Sequence, residues 1–221
     1  MADWLIVMLY DCRAVADRDR GIAAAIDAVR SGELVVFPTD TVYGIGADAF
    51  TPHAVTALLD AKGQDRTSPP PVLVGSRHTL DGLVFTLPQT ARDLVEAFWP
   101  GGLTIIVEHS PTLQWDLGET GGTIAVRMPL HPVGLEVLRE IGPMAVSTAN
   151  KPGQAAATTA EEAREQFDYA VRVYLEAGEC PEPVPSTIVD LTGEVPHMLR
   201  EGAIPLEKLR DVVPALTAGD A

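Results

Sequence analysis

The chain has 221 residues, and its 31 acidic and 16 basic side chains leave a formal net charge of −15. This excess of negative charge disfavours a nucleic-acid binder that works by bulk phosphate attraction, and it disfavours binding to an anionic membrane surface. Any anionic ligand must therefore meet a local cluster of basic residues. The two cysteines, Cys12 and Cys180, lie far apart in the sequence, so they indicate neither a disulfide scaffold nor a zinc site.

The apolar amino-terminal segment, residues 4–10, is too short to span a membrane and has no basic region before it. It predicts a first strand in a cytoplasmic protein. The 19 glycines and 18 prolines are scattered along the chain instead of being concentrated in a linker. We therefore predict a single domain over residues 1–214, followed by a disordered tail over residues 215–221.

A helix is predicted over residues 17–31, because apolar residues recur there at helical spacing and Gly32 follows. Residues 34–37 are apolar and rich in β-branched side chains, which predicts a buried strand that ends at Pro38. The strand opens into hydroxyl groups, an aromatic ring and glycines that permit close backbone approach, which suits a polar small molecule. An ordinary turn after the strand is the alternative. The residues concerned are Thr39, Asp40, Thr41, Tyr43, Gly44 and Gly46.

A second helix is predicted from Pro52, with Thr51 as a candidate cap and Gly63 as its end. Two basic residues, Lys62 and Arg66, lie at this end, and a run of three prolines follows them. They could turn toward an anionic ligand. The alternative is a solvated helix end, where a basic side chain also suits the negative end of the helix dipole.

Further helices and strands alternate along the rest of the chain, which predicts an α/β fold with a central twisted sheet. The strand over residues 123–128 contains Arg127 between apolar neighbours. A basic residue in a buried strand costs several kcal/mol unless it is paired or binds an anion, so Arg127 is a candidate ligand-binding residue, with a structural salt bridge as the alternative. The remaining predicted helices cover residues 88–99, 132–141, 159–167 and 206–213, and the remaining strands cover 72–74, 103–107, 144–146 and 171–175.

Three hydroxyl-rich strand ends and several basic residues stand beside glycine or proline at element boundaries, where the loops of α/β folds gather around a ligand. No Walker loop, dinucleotide fingerprint or histidine pair at metal-ligand spacing is visible in the sequence. Such a site favours chemistry that depends on positioning and electrostatics, as in nucleotidyl or phosphoryl transfer with Mg²⁺ carried in on ATP. The hydroxyl pairs are Thr39/Thr41, Ser147/Thr148 and Ser186/Thr187, and the basic residues are Lys62, Arg66, Arg127, Lys151 and Arg200.

Seven motifs, taken in order, resemble the YrdC family, whose enzymatic members are threonylcarbamoyl-AMP synthases. The resemblance covers residues 32–204 and implies a twisted mixed β-sheet with flanking helices and a concave, electropositive cavity. It also implies a nucleotidyltransferase that converts L-threonine, bicarbonate and ATP into threonylcarbamoyl-AMP and pyrophosphate for the modification of tRNA adenosine. The motifs are FPTDTVYGIGADAF, AKG with Arg66, WPGGLTIIV, TIAVRMP, STAN with Lys-Pro-Gly, PSTIVD and LREGAI.

The resemblance also implies roles for individual residues. Lys62 and Arg66 resemble the basic pair that faces the substrate carboxylate and phosphates, and with Arg127 they are the predicted catalytic residues. The family often has Lys-Gly-Arg-Pro, whereas here Gln64 and Asp65 separate Gly63 from Arg66. The predicted substrate-binding residues, including Tyr43 from its place after the strand, are Thr39, Tyr43, Lys62, Arg66, Thr123, Arg127, Thr148, Asn150, Ser186 and Arg200.

Two other functions remain open from the sequence. One is an RNA-binding or ribosome-maturation factor with the same fold, which the acidic composition disfavours unless the cavity face is locally basic. The other is a carbamoyl-adenylate enzyme whose acceptor is not threonine. For the synthase, we expect Mg²⁺ to enter with ATP, and we expect hand-over of the product to a tRNA threonylcarbamoyl-transferase machinery.

Overall fold

The fold was analysed in a computed structural model that describes residues 7–180 and 183–218. Within these residues the chain forms seven α-helices and eleven strands. The helices are α1 (Val15–Arg30), α2 (Pro52–Lys62), α3 (Arg77–Leu83), α4 (Gln89–Phe98), α5 (Pro132–Ile141), α6 (Ala160–Phe167) and α7 (Leu206–Val212). The strands are β1 (Met8–Asp11), β2 (Val35–Phe37), β3 (Gly44–Asp48), β4 (Val72–Leu73), β5 (Leu103–Glu108), β6 (Thr123–Arg127), β7 (Met144–Thr148), β8 (Val173–Glu176), β9 (Thr187–Asp190), β10 (His197–Arg200) and β11 (Thr217–Ala218).

All eleven described strands belong to one sheet, in the order β1-β8-β2-β3-β7-β4-β6-β5-β9-β10-β11. The sheet is mixed: β5 pairs antiparallel with β6 and parallel with β9 on its other side. Helices flank the sheet on both faces. The predicted α/β class, with a twisted mixed sheet and flanking helices, is therefore confirmed.

The two faces of the sheet are covered unequally. One face packs against α2, α3, α4, α6 and α7, and the largest fully buried side chain, Trp99, lies in this core. On the opposite face, α1 and α5 pack over β2, β8 and the start of β7 through residues such as Val29, Val137 and Phe37. The same face is left open over β4, β5, β6 and β9, and the open part forms the floor of a cavity.

Strand β3 was not predicted, because its two glycines have a low propensity for strands. In the structure they are required by close packing, since a Cβ added to Gly44 would lie 2.8 Å from Val146 Cγ1 and one added to Gly46 would lie 3.0 Å from Met144 Cε. These glycines lie inside a strand and not in the ordinary turn that was the alternative. Close approach of a ligand to the main chain here stays a prediction.

Three further local predictions differ from the structure. Thr51 does not cap α2 with its side chain; its hydroxyl donates to Asp48 Oδ2 at 2.7 Å, although α2 begins at Pro52 and ends before Gly63 as predicted. Helix α3 was not predicted, and Ser76 caps it by accepting from the Thr79 amide. Residues 217–218, predicted to be part of a disordered tail, pair with β10. Residues 1–6, which include the start of the predicted first strand, and residues 219–221 lie outside the described part.

Candidate active site

The floor of the cavity is the open face of the sheet. Residues paired across neighbouring strands point to the same face, and the register pairs Arg127 with both Leu73 and Thr104, and Thr104 with Ile188. The cavity has a volume of about 330 Å³. Its walls come from the loop between β2 and β3, from the prolines before β4, and from the segment before β9. Its polar and charged lining residues are Thr39, Thr41, Tyr43, Thr104, Arg127, Ser147, Thr148, Ser186 and Arg200.

The loop after β2 is held in shape by its own hydroxyl groups. Thr39 Oγ1 donates to the carbonyl oxygen of Val42 at 2.6 Å and accepts from the amide of Thr41 at 3.1 Å. These contacts satisfy buried polar groups in a segment that has no sheet partner, and they leave the loop against the cavity. Both threonines line the cavity, as predicted for Thr39.

Arg127 is buried, lines the cavity and binds three groups from two parts of the chain, the loop after β2 and Gly101. Its Nη2 lies 2.6 Å from Asp40 Oδ1, its Nη1 donates to Thr41 Oγ1 at 2.9 Å, and its Nε donates to the carbonyl oxygen of Gly101 at 3.0 Å. The guanidinium has five N–H groups, so two remain for a ligand once these contacts are made. Arg127 therefore forms the structural salt bridge that was the alternative interpretation and also lines the cavity, while its binding of a ligand stays a prediction.

Arg200, at the end of β10, supplies a second positive charge to the cavity lining. Its Nε and Nη2 donate to the carbonyl oxygen of Ser186 at 3.1 and 2.8 Å, and the Ser186 hydroxyl lies 2.8 Å from Thr104 Oγ1. Burial lowers the pKa of Arg200, and it also lowers the pKa of Arg127, where the charge of Asp40 opposes the effect. Arg127 is buried, whereas Arg200 is exposed, so it is chiefly at Arg127 that a bound anion would offset lost hydration.

The cavity is therefore locally basic in an acidic chain. Its described lining contains two arginines and no carboxylate, and the nearest acidic partner, Asp40, is already paired with Arg127. No group of three or more His, Cys, Asp or Glu side chains is placed to hold a metal ion within residues 7–180 and 183–218. The arrangement can bind and stabilise negative charge, which is the part of nucleotidyl transfer that a protein supplies by electrostatics.

Lys62 is buried beside the cavity, at the end of α2. Its Nζ donates to the carbonyl oxygen of Thr148 at 2.7 Å, to Asn150 Oδ1 at 3.0 Å and to the carbonyl oxygen of Asn150. Burial lowers the pKa of Lys62 to about 8. The ammonium group thus fixes the end of β7, where Thr148 lines the cavity, and Asn150 just after it.

Tyr43 is part of the cavity lining, but its side chain is fully buried in the core and its hydroxyl contacts residues outside that lining. The hydroxyl lies 2.8 Å from the carbonyl oxygen of Gly178 and 3.2 Å from Glu176 Oε1, and it accepts from the Ala177 amide at 2.9 Å. Burial raises the pKa of Tyr43. Sequence reasoning missed Glu176, whose other oxygen accepts from the Ala160 amide at the start of α6. An acidic residue directly after an apolar strand was the available signal.

Four predicted residues are not part of the cavity lining: Lys62 and Asn150, which bind each other beside it, and Thr123 and Arg66. Thr123 is on the same face of β6 as Arg127 but four residues away, and its hydroxyl donates to the carbonyl oxygen of Thr120 at 3.1 Å. Arg66 is exposed and pairs with Asp116 at 2.7 Å, so of the predicted basic pair only Lys62 turns inward. Thr104, which lines the cavity from inside a strand, was missed because we looked for hydroxyls at strand ends. Substrate contact by every one of the predicted site residues stays a prediction.

Comparison with known proteins gives matches over nearly the whole chain. Residues 27–202 match the sequence profile of the Sua5/YciO/YrdC family, described as "Telomere recombination". A Mycobacterium tuberculosis H37Rv protein named "Putative threonylcarbamoyl-AMP synthase" is 54% identical over 204 residues, which cover 92% of this chain and 94% of that protein. The threonylcarbamoyl-AMP synthase of Pyrococcus abyssi is 36% identical over 195 residues, which cover 87% of this chain and 57% of that protein.

Solved structures show the same fold. Pyrococcus abyssi Sua5 complexed with L-threonine matches with a TM-score of 0.88 at 34% identity, over 97% of this chain and 62% of that chain. Escherichia coli YciO matches with a TM-score of 0.78 over 92% of this chain and 98% of that chain, and at 23% identity this likeness concerns the fold alone. Among the described residues, no helix has both the length and the apolar character needed to cross a membrane.

Proposed function

Because the chain belongs to the Sua5/YciO/YrdC family, we propose that it is an L-threonylcarbamoyladenylate synthase, which makes threonylcarbamoyl-AMP and pyrophosphate from L-threonine, bicarbonate and ATP. The observation that carries the proposal is the locally basic cavity with hydroxyl-rich walls in an acidic chain. Such a cavity suits the carboxylate of an amino acid and the phosphates of a nucleotide. The L-threonine complex of the Pyrococcus abyssi relative supports threonine as one substrate.

The proposed reaction needs no nucleophile from the protein. The threonine amine adds to bicarbonate with loss of water to form a carbamate, and a carbamate oxygen then attacks the α-phosphorus of ATP and displaces pyrophosphate. ATP enters as its Mg²⁺ complex, so the metal arrives with the substrate. The protein's contribution is to hold the two anions side by side and to stabilise the charge that develops on the phosphate oxygens.

Arg127 and Arg200 are the residues best placed for this contribution. Both have guanidinium N–H groups beside the cavity, and arginine suits bidentate binding of phosphate or carboxylate. Thr39, Thr41 and Ser186 offer hydroxyl oxygens that can accept or donate hydrogen bonds to the bound amino acid. Lys62 acts as a positioning residue, since its ammonium group already binds three oxygens of the segment after β7.

Release of pyrophosphate is the direct test. The protein is mixed with Mg²⁺-ATP, bicarbonate and L-threonine, and each component is then omitted in turn, while mass spectrometry follows retention of isotopically labelled bicarbonate in the product. We expect turnover only with all components present. Equal turnover without bicarbonate would refute the carbamate mechanism. Turnover with another amino acid, and not with threonine, would support the related carbamoyl-adenylate enzyme instead.

The RNA-binding alternative predicts tight tRNA binding without any pyrophosphate release, which a gel-shift assay beside the kinetic assay can detect. The net charge of −15 disfavours it. For the synthase, we further propose a cytoplasmic location and hand-over of the product to the enzymes that transfer the threonylcarbamoyl group to tRNA adenosine. The mixed anhydride in threonylcarbamoyl-AMP is an activated acyl phosphate, so a later enzyme must supply the transfer step.

A further inference from the structure

One wall of the cavity is formed by a segment that has little structure of its own. Residues 64–71, which we call the strap, connect α2 to β4, and Pro69 and Pro71 within it line the cavity. Its prolines have no amide hydrogen, so they cannot donate to the sheet. Residues 64–69 are exposed, and β4, which follows, is only two residues long. The strap therefore depends on a small number of contacts for its position.

Arg66 makes the polar contacts that hold the middle of the strap. Its Nη1 and Nη2 donate to the two carboxylate oxygens of Asp116 at 3.1 and 2.7 Å, and its carbonyl oxygen accepts from the Glu119 amide at 2.7 Å. Within residues 65–70, the other hydrogen bonds in the described structure are local: the amide and hydroxyl of Thr67 and the amide of Ser68 donate to oxygens of Asp65. The strap joins the rest of the chain again where the carbonyl oxygen of Pro71 accepts from the Val146 amide.

The loop that contains Asp116 and Gly118 packs closely against Arg66. Gly118 has a φ of +102°, and a Cβ at this position would lie 2.6 Å from the carbonyl oxygen of Arg66, so only glycine permits this approach. The Gly118 amide also donates to Asp116 Oδ1 at 3.2 Å, which orients the carboxylate. The loop itself is anchored in the core by Leu117, which is 1% exposed. A loop that is anchored in the core therefore holds the strap, which makes few other contacts.

We infer that Arg66 and Asp116 are positioning residues that hold the strap as a wall of the cavity, and that Arg66 is not a substrate ligand. Substrate can bind fully only in molecules whose strap is in place. The apparent affinity for substrate is therefore proportional to the fraction of such molecules, and it falls when the strap is displaced more often. Exposed ion pairs shift such an equilibrium by up to about five-fold. The kinetic part of this inference rests on the proposed function, whereas the structural part does not.

The test is a double-mutant cycle of Arg66→Ala, Asp116→Ala and the double variant. We expect each single change to raise KM, by no more than about five-fold, with kcat nearly unchanged, and we expect the double variant to match the single variants because both remove the same contact. Arg92→Ala is the matched control, since Arg92 forms an ion pair of similar exposure with Asp81, 53% and 54%, at 3.6 Å. Its KM should equal the wild-type value.

Hydrogen exchange supplies a readout that does not depend on activity. The Glu119 amide donates to the main chain of Arg66, and that carbonyl is still present in Arg66→Ala, so faster exchange at Glu119 reports displacement of the strap. We expect faster exchange in both single variants and not in Arg92→Ala. A raised KM in Arg66→Ala with a wild-type KM and exchange in Asp116→Ala would overturn the inference, because Arg66 would then contact substrate directly. If the wild type releases no pyrophosphate, the proposed function fails while the exchange data still test the strap.

Discussion

Replacement of Arg127 should separate its structural role from its role in ligand binding. In Arg127→Met, Asp40 loses its ion pair and keeps only the Leu130 amide as a donor at 2.8 Å, while Thr41 Oγ1 and the carbonyl oxygen of Gly101 each lose a hydrogen bond. The side chains of Arg127 and Asp40 are 9% and 18% exposed, so water replaces these contacts poorly. Removing one member of a buried pair typically costs about 3–5 kcal/mol.

We therefore expect Arg127→Met to lower the free energy of unfolding by about 3–5 kcal/mol, out of a typical total of roughly 5–15 kcal/mol. In the double variant Arg127→Met/Asp40→Asn, the uncompensated charge is gone, and the side-chain oxygen of the introduced asparagine can still accept from the Leu130 amide. At least about half of the lost stability should return, because replacing both partners of a buried pair is often nearly neutral. The sequence alone suggested that activity would suffer much more than folding.

The assay is urea unfolding followed by circular dichroism, with pyrophosphate release measured on the folded fraction of each variant. The double variant should be folded and still show a large loss of kcat/KM, since the guanidinium N–H groups beside the cavity are missing. A stability loss below about 1 kcal/mol in Arg127→Met would refute the structural argument, because such a value is typical of an exposed ion pair. Full activity in the folded double variant would refute the binding role.

Two further outcomes follow from the site. Burial lowers the pKa of Lys62 to about 8, from 10.5 in the unfolded chain, so the unfolded chain binds more protons between about pH 8 and pH 10.5. The free energy of unfolding of the wild type, measured relative to that of Lys62→Met, should therefore rise by up to about 1.4 kcal/mol per pH unit across this window. A difference between the two proteins that does not change with pH would contradict the lowered pKa. Ser186→Ala leaves the buried Thr104 hydroxyl without its partner at 2.8 Å and should cost about 1–3 kcal/mol in urea unfolding. Ser110→Ala, which removes an exposed hydroxyl pair of the same length, should cost much less, and equal losses would contradict the argument from burial.

Local patterns in the sequence were sufficient for most of the helices and strands. Helix α5 has the predicted bounds, and α2 starts at Pro52 and ends before Gly63, whose φ of +59° only glycine adopts readily. These features depend on residues close together in the chain, so the sequence records them directly. Strand β3 could not be predicted in this way, because its glycines are required by Val146 and Met144, which belong to a strand far along the chain.

In the candidate site, too, some features could be predicted from local sequence and others depend on tertiary contacts. Hydroxyl and basic residues at strand ends identified Thr39, Arg127, Ser186 and Arg200 from the sequence, and the register of β4, β5, β6 and β9 then placed them around one cavity. Only the tertiary structure decided the direction of Arg66, which Asp116 draws outward from 50 residues away. The direction of a charged side chain depends on which partners the fold brings within a few ångströms, and no local pattern contains that information.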